Sequence, residues 1–232
     1  MSVIVPARDA EETLPRTLAA LEAQRDAPSF EVHVAQDDAG DGPARARNAG
    51  VAATTAPLLA FTDADCFPEP DWLARGVAAL EQADLVQGAV LPEHPPGPFD
   101  RTVHVRDAHG LFETANLLCR RELFDRLGGF ERWLVPDDGK ELGEDVLFGW
   151  RARRAGARIA FAADAVVRHA VFPRGAHGFV AERARLAAFP ALAKRMPELR
   201  GTVLHRRAFL SERSLAFDAA LAGLATGRPL LA

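Results

Sequence analysis

The sequence predicts an α/β fold in which a mostly parallel central sheet carries flanking helices, followed by a helical C-terminal extension. Three observations support this. Short apolar runs without helical spacing, such as Val3-Ile4-Val5 and Leu58-Leu59-Ala60-Phe61, read as buried strands. Segments with apolar residues three and four apart lie between them, so strand and helix alternate. Past residue 173 the rhythm gives way to alanine, leucine and arginine, which favour helix. A chain of 232 residues suffices for one large α/β domain with an appendage.

Val3-Ile4-Val5 forms the first strand, which Pro6 is expected to end. Asp9 with Glu12, or Thr13 with Pro15, opens a helix whose Leu14, Leu18 and Leu21 share one face. Residues 31–35 are a second strand, leaving through the acidic, glycine-bearing loop 36–42. A helix over 44–53 carries Arg45, Arg47 and Asn48, and the strand after it stops abruptly in Asp63-Ala64-Asp65. Pro70-Asp71 starts a helix with Trp72, Leu73, Val77 and Leu80 as its apolar stripe, and 84–90 is a fourth strand.

The proline-rich stretch 92–98 cannot belong to a regular element and divides residues 1–91 from 92–172. Beyond it, 113–118 reads as a strand, 121–127 as a helix stopped by Gly128-Gly129, and 136–143 as a loop rich in Asp and Gly. Glu144 and Asp145 fall in the first turn of the next helix, where acids also simply complement the helix dipole. Two short strands at 158–161 and 165–167 follow, the second delivering His169. Residues 173–232 form a basic helical extension broken at Pro190, Pro197 and Gly201. Its run 215–224 reads as an amphipathic or membrane-apposed helix, and the end at 229–232 suggests a longer natural chain.

Composition is that of an ordinary soluble globule, 48% hydrophobic and 26% charged. The only lysines are Lys140 and Lys194; the arginine and alanine bias is a genome-composition signature. Cys66 and Cys119 make no disulfide or metal framework and read as small buried hydrophobes. With no leader pattern at the start and no uninterrupted apolar span of about 18 residues, a cytoplasmic location is expected. Residues 173–232 hold ten Lys and Arg against four Asp and Glu, a net +6, which leaves −10 for residues 1–172. An acidic body argues against nucleic-acid binding. The basic extension suits the inner face of an anionic membrane or a phosphate-bearing acceptor, or is a solvated arginine-rich face.

Asp63 and Asp65 stand where a buried strand leaves the sheet, the edge at which open α/β folds bind ligands. Two carboxylates one residue apart can seat a hard divalent cation shared with a diphosphate, or cap the following helix. In order along the chain, these features resemble the family 2 inverting glycosyltransferases. The resemblance runs from Val3 to about His169 and implies the Rossmann-like, A-type glycosyltransferase fold. Pro6, Ala7 and Arg8 resemble the family's first nucleotide-contacting loop, and Glu11 falls where an acid faces the base or ribose. Ala46-Arg47-Asn48-Ala49-Gly50 is similar to the helix motif beneath the diphosphate, and Asp63-Ala64-Asp65 to the DxD that holds metal, ribose and phosphates. Thr114-Ala115-Asn116, Arg120-Arg121 and Leu127-Gly128-Gly129-Phe130 resemble the acceptor-side signature, Gly143-Glu144-Asp145 the ED motif, and His169 the C-terminal metal-binding histidine. Two positions depart from the pattern. Gln36-Asp37-Asp38-Ala39 replaces Asp-Asp-Gly-Ser, so the base-binding acid is absent or supplied by Asp37; and Asp9 stands where Asn is frequent.

The resemblance implies a hexosyltransferase-like enzyme that moves a sugar from a nucleoside-diphosphate donor, UDP by default, to a hydroxyl on a glycan, a lipid-linked acceptor or a small molecule. The expected cofactor is Mn²⁺ or Mg²⁺ on Asp63, Asp65 and His169. Asp145 is the expected general base, with Glu144 orienting acceptor or sugar. Residues 1–91 become the nucleotide-binding half and 92–172 the acceptor half. Three alternatives stay open: a haloacid-dehalogenase-type phosphatase, which needs a supporting lysine; a nucleotidyltransferase, which needs a glycine-rich triphosphate loop; and a non-catalytic nucleotide-sugar-binding protein.

Overall fold

The computed structural model describes residues 1–37, 40–135 and 141–226. The expectations placed on Asp38, Ala39, part of the 136–143 loop and residues 229–232 lie outside the described residues. Two compact units divide the chain, Met1–Ala187 and Ala188–Ala232.

The first unit opens with β1 (Ser2–Ala7), α1 (Leu14–Glu22), β2 (Glu31–Gln36), α2 (Pro43–Ala52) and β3 (Leu58–Phe61). It continues through β4 (Cys66–Pro68), α3 (Trp72–Leu80) and β5 (Leu85–Pro92). After a long loop come a 3-10 turn at Thr114–Asn116, β6 (Leu117–Arg120), α4 (Arg121–Leu127), α5 (Glu144–Arg154), β7 (Ile159–His169) and α6 (Ala176–Arg183). The seven strands make one sheet in the order β2-β1-β3-β6-β5-β7-β4. β1, β2, β3, β5 and β7 run one way, whereas β6 and β4 run against their neighbours. The sheet is therefore mostly parallel, as the alternation predicts.

Several details differ from the sequence expectation. β1 does not end at Pro6: it pairs with β2 through Ala7. Pairing with β3 stops at Ile4, whose carbonyl accepts from the Thr62 N–H at 3.3 Å. Residues two apart point to the same side of a strand, so the N–H that Pro6 lacks would face the side where β3 has already left. The expected strand over 113–118 begins only at Leu117. Before it, Asn116 is buried and its side-chain amide donates to the carbonyls of Ala89 and Ala165, each at 2.8 Å, while accepting from Trp72 Nε1 at 2.8 Å. Those bonds satisfy polar groups deep in the core and favour the turn over a longer strand. The two short strands expected at 158–161 and 165–167 are one, β7, with an irregularity opposite Gly88 and Ala89 that breaks the alternation. β4, only three residues long, has no sequence signal. The Thr13 and Pro15 alternative opens α1. α4 ends at Gly128 in the left-handed region, φ +74°, where glycine carries no Cβ penalty.

The core lies between sheet and helices and is led by Val3, Val5, Trp72, Leu73, Val86 and Leu118, all closed to solvent. Cys66 and Cys119 are buried and unbridged. In the second unit the helices are α7 (Phe189–Arg195), α8 (Leu199–Thr202) and α9 (Glu212–Thr226). Pro190 starts α7 instead of breaking a helix, because its missing N–H falls in the first turn, and Gly201 lies inside α8. Among the described residues, no helix is long and apolar enough to cross a membrane.

Candidate active site

β1, β2 and β3 end at one rim, and the loops leaving them enclose a cleft of about 770 Å³. Pro6, Ala7, Arg8 and Glu11 line it from the first loop, Asp37 from the second, and Asp63 and Asp65 from the third. Asp37 is built into the turn: its carboxylate accepts from the backbone N–H of Asp41 at 2.7 Å and of Gly42 at 3.1 Å. Asn48 stands apart from this wall. Its side chain clamps Phe130, accepting from that residue's N–H at 3.0 Å and donating to its carbonyl at 2.8 Å, which fastens α2 to the chain beyond α4.

Arg47 is the hinge pin of the site. Projecting from α2 and only 5% exposed, its guanidinium donates to Asp63 at 2.7 Å and to Glu144 at 3.0 Å. Burial opposes its charge, but Asp63 and Glu144 more than compensate and hold its pKa above the usual arginine value. Acids from the end of β3 and the start of α5 thus meet on one cation. Asp145, next to Glu144, is half-buried, and its carboxylate accepts from the Val146 N–H at 2.7 Å. Burial, then the charges of Glu144 and Glu113, push its pKa well above the usual carboxylate range. Glu113 is itself paired with His109 at 2.9 Å.

Strand pairing explains how His169 reaches Asp65 from a hundred residues away. β4 runs antiparallel to β7 with Cys66 opposite His169, and the Ala170 N–H donates to the Asp65 carbonyl at 2.9 Å. His169 Nε2 lies 3.6 Å from Asp65 Oδ1. Its Nδ1 is 2.6 Å from the Ala170 carbonyl, which only accepts, so Nδ1 carries a proton and Nε2 is the ring nitrogen turned towards Asp65. Ligand atoms of Asp65, Cys66 and His169 lie within 4.8 Å of one another. A carboxylate and a neutral imidazole are donors that fit Mn²⁺ or Mg²⁺. Burial, then the charges of Asp63 and Asp65, push the Cys66 thiol pKa well up, and a soft thiolate suits Mn²⁺ or Mg²⁺ less than a carboxylate does. Asp63 lies outside this group, on Arg47. Burial raises the Asp65 pKa against the lowering by His169, as does the charge of Asp63.

Residues 32–130 match the sequence profile described as glycosyl transferase family 2. That stretch, less than half of the chain, is similar to a family 2 glycosyltransferase domain. It is 30% identical over 151 residues to the glycosyltransferase AglE of Haloferax volcanii, covering 60% of this chain and 48% of that protein. It is also 30% identical over 146 residues to the pre-mycofactocin glycosyltransferase of Mycobacterium tuberculosis, covering 55% of this chain and 30% of that one. The chain therefore spans about half the length of the first relative and less of the second. Among solved structures it is similar to the mannosyltransferase PcManGT from Pyrobaculum calidifontis in complex with GDP-Man and Mn²⁺: TM-score 0.61, 22% identity, 97% of this chain and 80% of that one. It is similar also to S. aureus TarS 1-349 in complex with UDP-GlcNAc: TM-score 0.56, 21% identity, 76% of this chain and 59% of that one. These likenesses show the A-type glycosyltransferase fold.

The family 2 match reaches from β2 to Phe130 and so contains Asp63 and Asp65, while Asp145 and His169 lie beyond it. The domain's cleft also has walls that motif reading missed: Arg101, Glu141, Phe172 and Arg185. Glu141 caps α2, accepting from the Ala44 N–H at 3.0 Å. A Cβ on Gly42, whose φ is +98°, would stand 2.6 Å from that carboxylate. An acidic loop in the sequence hints at Glu141; no pattern points to Arg101 or Phe172, which come from irregular loops.

Proposed function

We propose that this chain is the catalytic part of a metal-dependent, inverting glycosyltransferase that moves a sugar from a nucleoside-diphosphate donor, UDP by default, to a hydroxyl acceptor. The observation that supports it best is the Arg47 bridge, which joins the DxD acid Asp63 in the cleft wall to the buried ED acid Glu144 behind it, with the Asp65 and His169 pair from the neighbouring strand ends. A relative named as a glycosyltransferase, and structural neighbours in complex with UDP-GlcNAc and GDP-Man, favour the same donor class.

A bound Mn²⁺ or Mg²⁺, held by Asp65 and His169 with Asp63 close by, would act as a Lewis acid towards the charge that grows on the departing diphosphate. Pro6, Ala7, Arg8, Glu11 and Asp37 form the wall for base and ribose. Asp145 takes the acceptor's hydroxyl proton onto its carboxylate while the oxygen attacks the anomeric carbon from the face opposite the diphosphate, which inverts the configuration. Its raised pKa suits this task, since a carboxylate whose pKa is raised is the stronger base once it is ionised. Glu144, fixed by Arg47, keeps its neighbour in place. Residues 1–172, with the segment through Ala187 that belongs to the same compact unit and brings Arg185 to the cleft, are the catalytic domain, and the basic extension after them touches an anionic membrane from the cytoplasmic side.

Titration with UDP and GDP sugars in the presence and absence of Mn²⁺, together with a transfer assay, tests the assignment. Asp145→Asn should keep donor binding and lose transfer, by about 10²–10⁴-fold, whereas Asp65→Ala should lose Mn²⁺-dependent donor binding. The opposite pattern would overturn it.

A further inference from the structure

We propose that Arg101 is the residue that grips the donor's diphosphate, so that it touches the leaving group as the glycosidic bond breaks. The role presupposes the transferase activity proposed above and assigns one further residue to it.

Arg101 sits on the loop between β5 and the 3-10 turn, and its backbone is stapled to the segment after β7. Its N–H donates to the Phe172 carbonyl and its carbonyl accepts from the Phe172 N–H, both at 3.0 Å. On either side, Arg174 donates to the Phe99 carbonyl at 3.0 Å and to Asp100 at 3.3 Å. The side chain is held as well: its Cζ lies 4.2 Å from the centroid of the Phe172 ring. A guanidinium stacked on an aromatic face from a fixed backbone loses little further freedom when it takes a ligand.

Among the described residues, that guanidinium donates no hydrogen bond. Its nearest charge is Asp65, with Nη2 3.9 Å from Oδ2, longer than a hydrogen bond, and the side chain is 44% exposed in the cleft wall. The cleft's other arginines are engaged differently. Arg47 is buried on Asp63 and Glu144, Arg8 lies towards Asp9 and Asp37 at the far end, and Arg185 donates to the Glu141 carbonyl at 3.1 Å. Arg101 is thus the cation next to Asp65, where the phosphates of a donor shared with that carboxylate's metal would lie.

The chemistry calls for such a group. When the bond from the anomeric carbon to the β-phosphate oxygen breaks, the electron pair stays on that oxygen, and the diphosphate leaves with an added negative charge. The rigid, planar fork of arginine meets two phosphate oxygens at once, which a lysine ammonium cannot reproduce.

Calorimetric titration of the full chain in Mn²⁺ with UDP, GDP and pyrophosphate, and with UMP and GMP, tests the role. Arg101→Ala should weaken the diphosphate that the wild type binds, and pyrophosphate, by about 10–100-fold, with the matching monophosphate changed by no more than about 3-fold. Phe172→Leu, which keeps the cation but removes its support, should fall between wild type and Arg101→Ala, and both variants should melt within a few degrees of wild type. Equal weakening of mono- and diphosphate, or none, overturns the role while leaving the transferase proposal standing. A wild type that binds no nucleotide and no pyrophosphate overturns both.

Discussion

Asp145 is a carboxylate whose environment favours its proton. In the pH window from the usual carboxylate value up to its raised pKa, the folded protein keeps a proton that the unfolded chain has released. Its contribution to stability therefore falls as pH rises through that window and stays unfavourable above it. Asp145→Asn should raise Tm at about pH 8, with the advantage shrinking towards about pH 4, as thermal melts at a series of pH values would register. The same shift sets the acid limb of the transfer rate, which should lie above the usual carboxylate range. Glu113→Gln removes one of the charges that raise Asp145 and should move that limb to lower pH; an unmoved limb would dissociate Glu113 from the base. At this scale the sequence is informative about acids, because paired carboxylates at a strand end and at a helix start form local patterns. It is silent about Arg101 and Phe172, whose meeting depends on two irregular loops.

Between elements, the decisive connection is the one from α2 to α5. Arg47→Met would leave Asp63 and Glu144 without their shared cation, Glu144 in a buried position. Breaking such a bridge from one side should cost about 3 kcal/mol, measured by denaturant unfolding, and Arg47→Lys should recover only part because one ammonium cannot serve two carboxylates with a planar fork. A loss below about 0.5 kcal/mol, the surface-pair range, would show that the bridge is not holding the site. Elements with strong periodicity, β1 to β3 and α1 to α5, are legible in the sequence. β4 is not, since three residues carry no period, and β7 reads as two strands because its irregularity interrupts the alternation. The consequence of missing β4 is specific: the pairing of Cys66 with His169, which delivers the histidine to Asp65, is a long-range fact that no local window contains.

For the whole molecule, charge is the property with the widest reach. A body of −10 followed by an extension of +6 makes a bipolar chain. Binding of the full chain to anionic vesicles in a sedimentation assay should be strong at about 50 mM salt and fall steeply by about 500 mM, as the Debye length shrinks. Equal binding to neutral vesicles would remove the electrostatic role of the extension. The fold class is legible at this scale because strand and helix alternate through α3 and β5; the antiparallel courses of β6 and β4 are not, as direction within a sheet is set by crossovers and not by composition.

Two contacts of α2, Ala44 to Glu141 and Arg47 to Glu144, each close a span of 97 residues. Bringing such distant partners together is a slow event for a folding chain, because the entropy of closing the span is lost before either contact is made. The first ninety residues emerging during synthesis can pair β1, β2 and β3 and still hold Arg47 and Asp63 without Glu144. On the proposed assignment the site is accordingly completed late, only when α5 docks, and a chain severed within the proline-rich stretch 92–98 would regain it only by reassembly of its two fragments.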